Sequence, residues 1–327
     1  MVNLDGVTVG AYASEPSRAP MSEKDEERWY GLLGELDSAS GVETYFRGTL
    51  HPGGPRRLAR LLPPGWHVIP TMLPHTVARL AQDAGYGLAS ASEDGRRAAV
   101  ADVGLLRQEL EELREVLGRD AVPAVHLQSA PKHVGEASSA RALGTSLTEI
   151  ASWEWGSATL VVEHCDAFVP GRPAAKGYLP LEDETEAVLA ARSAGTPSAI
   201  GQAINWGRSA IEGRSAATPA EHLVALLRAG TAVGLIFSGA ADTDGPLGSA
   251  WDDVHSPLRS TDPGSLLTPE TIAASLALLD ADPGRRPGDG LLYLGAKVQD
   301  PRDAPELSRR LDPLREVLRA MQSARVR

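Results

Sequence analysis

One cysteine, Cys165, stands in 327 residues. That excludes an intrachain disulfide and a structural zinc site built on thiolates. Positive charge is also short. The 32 Lys and Arg face 43 Asp and Glu, giving a net charge of −11 and a pI near 5.3. No basic field is available to neutralise phosphates, so nucleic acid is not expected as a main partner. No apolar run approaches the roughly 20 residues of a membrane span, so no membrane partner is expected either. The opening stretch MVNLDGVTVGAY has neither a basic start nor a cleavable apolar core, which predicts a cytoplasmic protein without a secretory signal. After the first β-rich run, VGAYAS does not supply the G-x-G-x-x-G of a dinucleotide fold, and there is no Walker-type phosphate loop. Repeats of solenoid period and low-complexity linkers are missing too.

What is present is an ordinary globular composition, 42% hydrophobic and 23% charged, with mean hydropathy −0.17. The length fits one large barrel or two medium domains. The most informative stretch is ATLVVEHCD, residues 158–166, where an apolar β-branched run ends directly in Glu163, His164, Cys165 and Asp166. Consecutive apolar positions describe a strand covered on both faces, and charge at its carboxyl end is where α/β proteins place chemistry.

Similar runs recur at 7–12, 41–46, 67–71, 122–127, 159–163, 199–205, 233–238 and 291–297, separated by amphipathic stretches such as 100–117, 181–194, 219–229 and 269–279. Thr218-Pro219 and Thr268-Pro269 each predict a helix start with Thr as the cap and Pro in the first turn. A closing helix is read over 307–321. Eight strands alternating with helices predict a single (β/α)8 TIM barrel over residues 1–327, in preference to an open doubly wound sheet. Two longer irregular segments stand out. Residues 239–263 follow the seventh strand and suit an active-site loop, whereas 280–289 suits a surface turn on the opposite side.

Under that fold, the strand ends present Glu43 and Tyr45 from the second strand, with Arg47 and His51 beyond them. The fourth presents His126, Gln128 and Ser129, and the fifth Glu163, His164 and Asp166. The sixth ends in Asn205, followed by Trp206, Arg208 and Glu212; the seventh ends in Ser238 and the eighth in Lys297. His126 in an apolar strand fits either a hydrogen-bonded core histidine or a binding group. Lys297 has few structural reasons to follow LLYLGA unless a carboxylate waits nearby. Trp206 and Arg208 together suit a hydroxylated ligand, one by stacking and the other by bidentate donation. Cys165 is read as inert packing, and the run Asp252-Asp253-Val254-His255 as an acidic loop that meets water.

Taken in order, VGAYASEPS, QSAP, LVVEHCDA, INWGRSAIE and LIFSGA resemble the bacterial family of domain of unknown function 4862, across nearly the whole chain. That family resembles a branch of the xylose-isomerase-like barrels, which include sugar and sugar-phosphate isomerases and epimerases. In epimerase members of that superfamily, Glu, Asp, His and Glu from strands five to eight hold a divalent metal. The matching positions here read Glu163, Asn205, Ser238 and Lys297. Asn can offer an oxygen to a hard cation, but Ser is a poor substitute and Lys repels it. A Mn²⁺ or Mg²⁺ site therefore requires a rebuilt ligand set, with Glu163, His164 and Asp166 as candidates and His126 as a further one.

The leading expectation is a carbohydrate-acting isomerase or epimerase that moves a proton next to a carbonyl of a small-molecule substrate. Glu163 would be the base and Lys297 the cation that holds the enolate oxygen, the two acting as a pair. His126, Gln128, Asn205, Trp206, Arg208, Glu212 and Ser238 would bind substrate. The alternatives are a lyase or aldolase with Lys297 as Schiff base, and a non-catalytic barrel that binds a small ligand.

Overall fold

Side-chain alternation along eight short strands decides which residues can meet. The computed structural model describes residues 6–16, 21–280 and 291–325. Its strands are β1 (Val7–Val9), β2 (Ala39–Tyr45), β3 (His67–Thr71), β4 (Ala124–Leu127), β5 (Thr159–His164), β6 (Ile200–Asn205), β7 (Ala232–Phe237) and β8 (Tyr293–Ala296). All pair in parallel and in sequence order, and β8 closes on β1 through Thr8–Gly295 and Val9–Ala296. The helices are α1 (Glu23–Gly34), α2 (Gly54–Leu61), α3 (Leu73–Leu80), α4 (Glu93–Leu117), α5 (Ala140–Ala151), α6 (Leu181–Ser193), α7 (Trp206–Gly213), α8 (Thr218–Ala229), α9 (Pro269–Asp280), α10 (Leu307–Arg310) and α11 (Asp312–Arg325). The expected (β/α)8 barrel is present.

Successive strand residues face opposite sides, so each strand feeds two cores. Val7, Val9, Leu160, Val162, Ile204, Leu235 and Leu294 pack outward against helix residues such as Leu106, Leu147, Val188, Leu223 and Val317. The inward residues Ile69, Ala124, Val161, Ala203, Ile236 and Tyr293 form a separate plug inside the barrel. Tyr293 lies across Gly234, where an added Cβ would sit 2.3 Å from the ring. The polar ends of the strands rest on that plug.

Four local departures from the sequence reading matter. The first strand stops at Val9 rather than 12, and Ala11–Ser14 wind into one 3-10 turn that swings Tyr12 over the barrel end. The fifth strand runs one residue further, to His164. Residues after Asn205, read as a loop, are α7, with the Asn205 side chain accepting from the Arg208 N–H as its cap. At α8 the helix starts one residue early, so Thr218 is its first residue and Ala217 precedes it. Thr268 meets the expectation, exchanging reciprocal bonds with Thr271 at the start of α9. Most of the turn expected over 280–289 lies outside the described residues.

Candidate active site at the barrel mouth

The inward-facing residue at the end of β5 is Glu163, fully buried on top of the plug. Arg208 Nη1 donates to its Oε1 at 2.6 Å and Asn205 Nδ2 to the same oxygen at 3.2 Å. Gln128 Nε2 approaches Oε2 at 3.4 Å, and His126 Nδ1 lies 3.8 Å from that oxygen. The start of α7 explains the arrangement: Asn205 caps the helix with its oxygen and gives its nitrogen to Glu163, while Arg208, one turn on, reaches back over the strand end.

Across the mouth, Lys297 Nζ donates to Glu43 Oε1 at 2.8 Å. The same oxygen accepts from the Tyr12 hydroxyl at 2.8 Å, and Nζ sits 4.8 Å from the centre of the Tyr12 ring. Gly10 makes room for this side chain, since a Cβ there would lie 2.7 Å from Lys297 Cγ.

The long segment after β7 folds over the mouth. Gly239 and Ser256 pair through both backbone bonds, and Gln299 N donates to the His255 carbonyl, which stitches the loop to the strand ends. Asp253 Oδ2 thereby receives Arg208 Nε at 3.1 Å and Lys176 Nζ at 2.9 Å. His255 Nδ1 meets Ser238 Oγ at 2.9 Å and Asp253 Oδ1 at 3.5 Å. His255 holds φ at +53°, a left-handed conformation uncommon for a residue with a Cβ.

Electrostatics follow from this packing. Burial alone would raise the Glu163 carboxyl, but Arg208 and Lys297 together with the Asn205 bond hold it down at about 2. Asp253 likewise stays well below the usual carboxylate range because Arg208 and Lys176 outweigh its burial. Burial lowers His126 despite Glu163 and Glu43, and pushes His255 down to about 3 despite Asp253. Tyr12 and Tyr293 are pushed well above their ordinary value, by burial first and then by the nearby carboxylates. Both imidazoles and both phenols are therefore neutral. Three carboxylates, Glu43, Glu163 and Asp253, face three cations, Lys176, Arg208 and Lys297. Two buried polar atoms beside Glu163, His126 Nδ1 and Gln128 Oε1, lack a hydrogen-bond partner, which suits a polar ligand.

A cavity of about 110 Å³ reaches this network at Glu43 and Tyr12 and is walled by Glu15, Glu26, Tyr45 and His51. A larger hollow of about 680 Å³ lies on the helical side, between α9, α11 and the outer face of Leu294. It is remote from the polar strand ends, whereas the smaller cavity opens onto them.

Of the residues singled out in the sequence, Glu163, Lys297, His126, Gln128, Asn205, Arg208 and Ser238 converge at the mouth. Glu163 and Lys297 do not bond each other; each has its own partner, Arg208 and Glu43. Trp206 is a correction. It is buried in the main apolar core rather than offered to a ligand, because the first residue of α7 turns its ring away from the strand end. Glu212 is another: it bonds His164 Nε2 and the Ala167 N–H behind the barrel wall. The candidate metal set also separates. Glu163 faces inward, His164 faces the helices, and Asp166 accepts from the Lys176 and Gly177 N–H groups. Asp253 and His255 were read as meeting water, yet both are buried at the mouth. Sequence reasoning missed Tyr12 and Lys176 as well. Cys165 is inert packing as expected, with its thiol pushed up by burial.

The mouth residues do not fit a divalent cation. Both Glu163 oxygens are already engaged, a guanidinium lies 2.6 Å from one of them, and an ammonium replaces the fourth ligand of the metal-binding pattern.

Comparison with known proteins gives a consistent frame. A family model described as Domain of unknown function (DUF4862) matches residues 8–312. The uncharacterised protein STM3670 of Salmonella typhimurium strain LT2 is 32% identical over 328 residues, covering 99% of each chain. Among solved structures, 3-keto-D-glucoside 4-epimerase YcjR of E. coli is similar with a TM-score of 0.57 at 12% identity, covering 98% of this chain and 100% of its own. A candidate xylose isomerase of Rhodospirillum rubrum is similar with a TM-score of 0.63 at 12% identity, covering 98% and 99%. These two likenesses establish a xylose-isomerase-like barrel fold.

Proposed function

We propose that this protein, which belongs to the domain of unknown function 4862 family, is an isomerase or epimerase of small uncharged sugars or sugar derivatives. It would move a proton next to a carbonyl at the closed barrel mouth, without a metal there. The observation that carries this reading is the pairing of each mouth carboxylate with a fixed cation: Glu163 with Arg208, Glu43 with Lys297, and Asp253 with Lys176 and Arg208. The epimerase and candidate isomerase that share the fold support the reaction class.

In this reading, a substrate hydroxyl or carbonyl draws off the Arg208 Nη1 donor, and the released Glu163 carboxylate regains the basicity to take the proton. Lys297, already a cation beside Glu43, holds the developing oxyanion, the part a metal plays in other barrels. Gln128 Oε1 accepts from, and His126 Nδ1 according to its tautomer accepts from or donates to, hydroxyls beside the reacting carbon. Glu26 and Glu43 line the approach and each mouth cation already has a carboxylate partner, which disfavours a phosphate. The Schiff-base alternative needs a free amine. The Lys297 nitrogen is instead tied up, 2.8 Å from a carboxylate and over a ring face.

The test is turnover on a panel of keto and aldo sugars and their phosphates with no added Mn²⁺ or Mg²⁺. Activity on neutral sugars that Glu163→Gln and Lys297→Met both abolish is the expected result. Substrate-dependent trapping of Lys297 by borohydride would instead establish the lyase chemistry.

A further inference from the structure

We propose that His164, Glu212 and His222 bind a zinc ion on the helix side of β5, separate from the mouth. One ligand atom from each residue lies within 4.8 Å of the others. His164 Nε2 is 2.9 Å from Glu212 Oε2, and His222 Nε2 is 3.6 Å from Glu212 Oε1. Tetrahedral zinc with bonds of about 2.0–2.1 Å separates adjacent ligand atoms by roughly 3.3 Å, so these contacts straddle the required spacing.

The groups behind the ligands are those a metal site needs. His164 Nδ1 lies 2.8 Å from Glu184 Oε2, and the Ser129 hydroxyl donates to the other Glu184 oxygen. His222 Nδ1 lies 3.1 Å from Ser209 Oγ. Both rings thus have the outer nitrogen held and Nε2 turned toward Glu212, the orientation that fixes metal-binding imidazoles. The Ala167 N–H, 2.8 Å from Glu212 Oε2, fixes the carboxylate in turn.

Charge points the same way. Two carboxylates, Glu184 and Glu212, stand around the imidazoles of this largely buried cluster, an arrangement that a divalent ion would balance. Two nitrogens and a carboxylate oxygen suit zinc rather than magnesium or calcium, which prefer all-oxygen shells. The scarcity of cysteine excluded only thiolate sites. His164 is fully buried, whereas the side chains of Glu212 and His222 are each 15% exposed, which leaves the fourth position to water. The ligands come from β5, α7 and α8, with Glu184 from α6, so the ion would fasten three helices to the strand that carries Glu163.

The experiment uses the full chain, stripped with chelator and titrated with Zn²⁺ by calorimetry and metal analysis, with Co²⁺ absorption as the geometry readout. One zinc per chain, a raised Tm and intense four-coordinate Co²⁺ bands are expected. His222→Gln should remove the site, and Glu184→Gln should weaken it by about 10–100-fold. Glu163→Gln, at the mouth, should still bind one zinc. Ser209→Ala is the milder variant if His222→Gln does not fold, and it too should weaken binding. Folded wild-type protein that takes up no zinc would overturn the proposal and leave His164 as a protonated bridge between Glu184 and Glu212. So would zinc lost in Glu163→Gln but kept in His222→Gln.

Discussion

Glu163 and His164 are neighbours in sequence, yet they belong to two different charged clusters. On the inner side, carboxylates meet a guanidinium and two amines, Arg208, Lys176 and Lys297. On the outer side, Glu184 and Glu212 meet His164 and His222, groups that can exchange a proton for a metal. A strand of period two sorts adjacent polar residues into separate environments, and the partner chemistry on each side then decides what that environment can do. In the proposed reaction the inner cluster would hold charge fixed while substrate charge develops; with the proposed ion, the outer cluster would hold elements together.

That division can be broken from the inner side first. Glu163→Gln should lower turnover by about 10²–10⁴-fold if the carboxylate is the base, with folding intact by circular dichroism. Arg208→Ala leaves Glu163 and Asp253 buried without their main partner, so urea unfolding should show a loss of about 3–5 kcal/mol. A loss under 1 kcal/mol would mean that water reaches these carboxylates readily. Trp206→Phe sharpens the comparison further. It trims the apolar core, should cost about 1–3 kcal/mol, and should leave KM unchanged; a raised KM would return Trp206 to the mouth.

The smallest expected effect is a pH dependence at His255. Burial holds this imidazole down at about 3 in the folded protein, against an ordinary 6.5, while Asp253 opposes the shift and Lys297, Arg208 and Lys176 reinforce it. The unfolded chain therefore binds a proton that the folded chain refuses between those values, and stability falls as pH drops below 6.5. His255→Asn, which tolerates the left-handed backbone, should make the fall of Tm from pH 6.5 to 5 shallower.

Much of this was legible in the sequence. Apolar runs ending in polar residues, Glu163, Asn205, Ser238 and Lys297, marked the barrel strands and the ends that meet at the mouth. The partners were not legible. Lys297 finds Glu43 from 254 residues away, a pairing that only barrel closure produces. Asp253 sits in a Gly-, Asp- and Ser-rich loop that reads as solvated, and its burial follows from the Gly239–Ser256 fold-back. Trp206 misled because the residues after Asn205 carry little helical periodicity, so the turn of α7 that sends the indole into the core was unread. The separation of His164 from Glu163 was available in principle, since alternation along the strand places them on opposite faces.

Solvent exchange tests the central claim most directly. The wild-type chain, with no added Mn²⁺ or Mg²⁺, is incubated in D₂O with neutral keto and aldo sugars and with the matching phosphates, and proton NMR follows the carbon next to the carbonyl. Deuterium should enter that carbon of a neutral sugar, much more slowly in its phosphate, and at background rate with Glu163→Gln or Lys297→Met. Equal incorporation by the wild type and both variants, or exchange confined to phosphorylated sugars, would contradict the account.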